Sequence, residues 1–303
     1  MIDTVVEKWT AFWFTPEPAH TLGLVRIAFG LVVAAWTLAL LPDLYQLFGA
    51  QGVVPRHPRF DYEWSVFAIW PGDTALLIGW VVLLVSALAL AVGWHSRLAA
   101  VLVFVLVQSF VRRDPYVFNA GDAIVVLVAL VLALSSCGAA LSLDQRRRTG
   151  AFWSAQDRAP WPVRLLQVQL SLIYLVSVQA KLSGDSWLEG SAVTYAWRTD
   201  GRWAFLPAPE WLAANALMVN ALTWGTLIVE LAIAVLVWNR RLRLPVLGAG
   251  VVMHLAMMIN LNIGFFSLAM FVLYLAFVPW DTVARMPAWV KRKLARDKQP
   301  TAP

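Results

Sequence analysis

Apolar segments close to twenty residues long recur along this 303-residue chain with few charges inside them. No other feature restricts its fold as much. A helix of that length crosses the roughly 30 Å of bilayer hydrocarbon, where only helices and closed barrels satisfy their own backbone. Eight such segments are read, at about 20–41, 73–94, 97–112, 118–140, 162–182, 212–238, 244–261 and 263–280. With 60% of residues hydrophobic and 14% charged, the composition lies outside that of ordinary soluble domains and agrees. The fold class expected is all-α: a polytopic integral membrane helical bundle of about eight transmembrane helices.

Loop charge gives the orientation, because Lys and Arg collect in cytoplasmic loops. If the N-terminus is cytoplasmic, sixteen of the 24 basic residues lie inside. They are Lys8, Arg97, Arg146, Arg147, Arg148, Arg158, Arg164, Arg240, Arg241, Arg243 and six in the tail. Seven lie outside, namely Arg56, Arg59, Arg112, Arg113, Lys181, Arg198 and Arg202, and Arg26 falls within the first span. Both termini are therefore expected in the cytoplasm of a multi-pass cell-membrane protein. The net charge of +6 is accounted for by orientation and by contact with anionic membrane lipids, so no nucleic-acid partner is expected. The first span is too long for a signal-peptide core, carries Arg26 and precedes no small-residue cleavage site, so it is expected to stay as an anchor.

Three regions follow. Residues 1–19 contain "WTAFWF" and read as an interfacial aromatic helix, 20–280 form the transmembrane domain, and 281–303 form a basic cytoplasmic tail. Two outer connections are long: Pro42 to Gly72, with Trp64 and Trp70, and Ser183 to Glu210, with Trp187, Trp197 and Trp203. Their aromatic content predicts that they fold over the outer face. No internal repeat is found, which disfavours an inverted-repeat transporter. The single cysteine, Cys137, excludes an internal disulfide and reads as a packing residue.

Polar groups inside spans are costly and require partners or a purpose. In the fifth span Gln167, Ser171, Tyr174, Ser177 and Lys181 recur at helical intervals as one stripe, which must face the bundle interior or a wet cavity. Lys181 stands at the outer end, where a snorkelling lysine is common. The stripe, the turn "SGDSW" after it and the nearby Asp185 favour an inward lysine instead. Buried, it would be available as a base. Asn119 and Asp122 open the fourth span on one face, either as helix-capping residues or reaching toward Lys181. Glu230 in span six and Arg26 in span one lie at similar depth, which predicts a structural Arg26–Glu230 ion pair. His254 lies near mid-membrane, followed by Met257 and Met258. No second histidine or cysteine completes a ligand pattern, so no metal is expected.

The segments "LGLVRIAFGLVVAAWTL", "FNAGDAI", "LLQVQLSLIYLVSVQAKLSGDSWLEG" and "H…GFFS" resemble, in order over about residues 20–280, the horizontally transferred transmembrane domain family. Its bacterial members are related to the membrane core of vitamin K-dependent gamma-carboxylase. Tyr174, Ala180, Lys181, Leu182, Trp187 and Gly190 carry the most specific part of the likeness. The resemblance implies a carboxylase-like, quinone-dependent membrane enzyme, a lyase, with an outward-facing cavity for a reduced quinone such as menaquinone or for another prenyl lipid. It implies Lys181 as base with His254 and Asp122 tuning or relaying protons, and Asn119, Tyr174, Gln169, Met258 and Trp187 against the cofactor. Ala120 and Gly121 stand where the carboxylase has an asparagine and histidine pair, and its large luminal region has no counterpart. A secreted peptide or protein at the outer face is the substrate so implied. The alternative is a non-enzymatic membrane partner or scaffold in maturation or export of a secreted peptide.

Overall fold

In the computed structural model, residues 2–53, 64–199 and 204–286 are described. The basic tail from 287 onward, and Arg56, Arg59, Arg202 and Trp203, lie outside them. The described residues are mostly helical, and each of the eight apolar segments carries a helix.

Five of these helices are long and apolar enough to cross a membrane among the described residues: His20–Ala39, Asp73–Val92, Trp161–Leu182, Ala216–Leu236 and Arg243–Asn260. The others fall short for separate reasons. Ser96–Arg113 carries Arg97, Arg112 and Arg113, and Ala120–Leu134 has only 15 residues. Phe266–Leu275 becomes a sixth candidate only when joined across a 97° bend to Trp280–Met286. The long helices expose Leu31, Val85, Leu88, Leu172, Val176, Ile228 and Val252. Such rows of uncovered aliphatic side chains suit lipid rather than water. Prolines sit where helices tolerate them, in the first turns of Trp161–Leu182 and Arg243–Asn260. Asn215 caps Ala216–Leu236 by accepting from the Met218 amide at 3.1 Å.

The chain divides into two compact units. The first comprises residues 1–118, 125–164 and 278–303. Within it His20–Ala39 packs along Asp73–Val92, which packs along Ser96–Arg113. The first contact is close: a Cβ at Gly30 would stand 2.6 Å from the Ala91 nitrogen, so only glycine admits the two backbones. Trp36 and Phe48 stack on Phe118 with interplanar angles of 21° and 22°, beside a buried Phe110. The helix Ile2–Phe14 exposes Val5, Val6, Trp9 and Phe14, an apolar face no protein covers among the described residues. One departure from an all-helical chain is a two-residue antiparallel ribbon, Glu17–Pro18 with Asp157–Arg158. The long connections fold into short helices, Leu44–Phe48 and Val66–Ile69 here and Asp185–Leu188, Ala192–Thr199 and Glu210–Ala213 in the second unit.

Arg26 belongs to the first unit, where backbone carbonyls rather than a carboxylate engage it. Its guanidinium is fully buried and donates to the carbonyls of Leu90, Ala91 (2.9 Å) and Leu141. The first two are carbonyls of the last turn of Asp73–Val92, where intrahelical donors run out, and that of Leu90 also accepts from the capping Gly93 amide at 3.1 Å. A forked cation at a helix C-terminus meets both their geometry and the helix dipole, and needs no carboxylate.

Candidate functional site

The second unit, residues 119–124 and 165–277, contains the whole polar stripe of Trp161–Leu182. Each stripe residue meets a polar partner within that unit. Gln167 Nε2 donates to the Ala276 carbonyl at 2.7 Å, and Ser171 Oγ accepts from Trp238 Nε1 at 2.9 Å. The Tyr174 hydroxyl bonds His254 Nε2 at 2.8 Å and the Tyr274 hydroxyl. Lys181 Nζ donates to Ser177 Oγ at 3.0 Å and forms an ion pair with Glu230 Oε1.

Lys181 does not snorkel. Its bond to Ser177, one turn back along its own helix, shows the side chain folded toward the bundle, the direction helical side chains favour. The indole of Trp187 closes over the ammonium at 5.0 Å, so the turn after the span does fold back on the lysine. The carboxylate that meets it is Glu230, not Asp185 or Asp122. Glu230 side-chain exposure is 6% against 21% for Lys181, so the pair has one sheltered member and one near an edge. Glu230 Oε2 is buried and has no hydrogen-bond partner. A buried carboxylate oxygen left open is costly to the fold and is a place for a donor from outside the chain.

His254 is held at both ring nitrogens, Nε2 by Tyr174 and Nδ1 by Ser267 Oγ at 3.1 Å. It therefore takes a ligand only by releasing one of them. Tyr274 approaches because Gly250 faces it: any Cβ there would collide with the Tyr274 hydroxyl and lie 2.6 Å from Ile233 Cδ1. Tyr274 and Ser267 were not singled out from sequence. Their spacing of seven puts both on one helical face, and that was the available signal.

The remaining candidates are placed differently. Asp122 is buried and accepts from the Asn119 amide at 2.8 Å, while Asn119 Oδ1 accepts from the Gly121 amide at 2.7 Å, so both serve the start of their helix. Asn119 Nδ2 also reaches the Ile263 carbonyl at 3.4 Å. Gln169 is half-buried, two positions from Gln167 and so on the other side of the helix from the stripe. Met258 is half-buried one turn beyond His254.

Comparison with known proteins places these features in context. A family model described as the HTTM domain matches residues 14–281. The uncharacterized protein YitO of Bacillus subtilis (strain 168) is 25% identical over 313 residues, covering 98% of this chain and 97% of the relative. No solved structure matches.

Proposed function

The chain belongs to the HTTM domain family, and from that premise we propose that it is a membrane enzyme acting on a reduced quinone or other hydroxyl-bearing prenyl lipid at Lys181 and Glu230. The observation that carries this reading is the buried, unpartnered Glu230 Oε2 beside an ammonium. A carboxylate in that state fits a hydroxyl donor, and a lipid that partitions into hydrocarbon brings one without the cost of carrying it through water.

A reduced quinone would supply two aryl hydroxyls and the reducing electrons. This chain's residues bind and manage protons. Glu230 accepts a hydrogen bond at Oε2 and can hold a proton there, and Lys181 at Oε1 keeps positive charge within reach when negative charge develops nearby. Proton exchange inside the pair, from Lys181 Nζ to Glu230 Oε1, is how the lysine becomes a neutral amine and a base. Trp187 covers one side of the ammonium. Tyr274, Tyr174, His254 and Ser267 form, in that order, a continuous hydrogen-bonded chain across three helices, suited to passing a proton away. Asp122 holds the start of its helix in this unit, with Asn119.

The reading includes eight crossings of the cell membrane with both termini cytoplasmic, supported by the loop charge bias and by a helix in every apolar segment. A secreted peptide or protein at the outer face is its second substrate. The second reading, a non-enzymatic partner in peptide maturation or export, is favoured by one fact: Lys181 already has three protein contacts and ties two helices together.

Lipid extracted from the purified protein tests the choice. The enzyme reading expects an enriched prenyl quinone that is lost in Glu230→Gln. An extract no different from the surrounding membrane, with function intact in Lys181→Arg, favours the scaffold.

A further inference from the structure

The first unit holds a second polar site, away from the Lys181 cluster in sequence and different in chemistry. The turn after Leu134, "SSCG", lies against the start of Ser96–Arg113 and the helix Leu143–Thr149, and leaves a cavity of about 270 Å³. Three arginines from three segments line it, Arg97, Arg148 and Arg158, with one carboxylate, Asp144. The oxygens of Asp144 are already engaged. Oδ1 accepts from the His95 amide at 2.9 Å, and Oδ2 from the Ser96 amide and hydroxyl at 2.7 Å each. Its charge closes the N-terminus of Ser96–Arg113 instead of pairing with a guanidinium. Arg158 is anchored on Gln156, whereas Arg97 and Arg148 have no ion-pair partner among the described residues.

The cavity does not end at the arginines. Arg97, Arg148, Ser96 and Asp144 also line a neighbouring open hollow of about 500 Å³, to which His95, Leu98 and Val101 contribute. Leu98 and Val101 are exposed on the apolar outer face of their helix. The two hollows thus share their arginines, with hydroxyls of the turn on one side of them and the exposed Leu98 and Val101 on the other.

We propose that this site binds the phosphate of an anionic glycerophospholipid in the leaflet that this loop faces. Arg97 and Arg148 grip the phosphodiester, Ser135 and Ser136 lie beside the headgroup, and an acyl chain runs along Leu98 and Val101. Guanidinium forks match a phosphate bidentately, and basic pockets at helix ends in membrane proteins suit acidic headgroups. Free phosphate would use the arginines and leave the aliphatic wall idle, so the greasy half of the site identifies the lipid as its source.

The test uses the full chain in a neutral detergent. Phosphatidylglycerol, phosphatidylcholine and inorganic phosphate are titrated in turn, and binding is followed by intact-complex mass spectrometry and thermal melting. Phosphatidylglycerol should bind and raise the melting temperature. Each of Arg97→Gln and Arg148→Gln should weaken it about fivefold, the equivalent of about 1 kcal/mol per basic residue. Arg240→Gln with Arg241→Gln, on a different loop, should change nothing. Equal binding of phosphatidylcholine, equal loss in the control pair, or competition by inorganic phosphate at the lipid's own concentration overturns the proposal. Because loop arginines also guide insertion, the unsubstituted protein provides an independent readout with a photoreactive phosphatidylglycerol. Cross-links concentrated on residues 135–139 and 97–101 support the site, and cross-links confined elsewhere refute it.

Discussion

Replacing Glu230 by leucine removes the only carboxylate in ion-pair contact with Lys181 among the described residues. Breaking one side of a buried pair costs about 3–5 kcal/mol, because a charge is left without its partner. Lys181 retains 21% side-chain exposure and keeps Ser177 and Trp187, so Glu230→Leu belongs at the lower end, about 3 kcal/mol. Lys181→Met costs less, about 2 kcal/mol, because an abandoned carboxylate can take a proton and become neutral. The double variant should cost no more than the worse single, since two apolar side chains of similar size replace a pair that was expensive to bury. That makes a coupling of about 2 kcal/mol or more. Reversible unfolding in mixed micelles, followed by tryptophan fluorescence, measures all four corners of the cycle. Additivity within about 0.5 kcal/mol would refute the pair. A parallel cycle between Arg26→Met and Glu230→Leu should be additive, because Arg26 is bonded to backbone carbonyls.

Other expectations follow from the same contacts. Arg26→Met should destabilise the protein by about 3 kcal/mol in the same unfolding assay, by removing the guanidinium donors from the carbonyls of Ala91 and Leu141 and one of the two donors from that of Leu90. Arg26→Lys should recover only part, because one ammonium does not span them. Gly250→Val should cost about 1–3 kcal/mol by driving a side chain into Tyr274, with Gly248→Val, where a Cβ meets open space, as the harmless control. Burial opposes ionisation of Asp144, but the hydrogen bonds from Ser96 and His95 more than offset it and hold its pKa below the ordinary 3.8. Its stabilising contribution is therefore complete above that value and fades as pH falls below it. A melting series into acid should show an Asp144→Asn variant lacking that part of the loss.

How much could be read from residues alone depended on the physics behind each inference. Hydrocarbon thickness fixes the length of a crossing, and five of the eight segments carry a helix long and apolar enough to make one among the described residues, while backbone satisfaction forces the stripe from Gln167 to Lys181 toward partners. Depth counting failed for ion pairing. It set Glu230 level with Arg26 and far from Lys181, and ignored two things a linear count omits. A lysine stem about 6 Å long folds back toward the previous turn, and helix-terminal carbonyls compete with carboxylates for an arginine. Asp122 and Asn119 took the capping roles that their position at a helix start suggests, and Gln169 fell off the stripe by its spacing. Tyr274 and Ser267 escaped notice because single hydroxyls in an apolar run carry little signal until the histidine they hold is seen between them.

The central claim is that Glu230 Oε2 receives a hydroxyl of a bound lipid. Infrared difference spectroscopy of the carboxyl region, recorded anaerobically as reduced menaquinone is added to the purified protein in lipid, addresses it directly. The account predicts a carboxyl band that shifts on addition and is absent in Glu230→Gln, with the melting behaviour of that variant checked in parallel. A spectrum that does not change in the natural protein at saturating quinol, or one whose change survives Glu230→Gln, would contradict it.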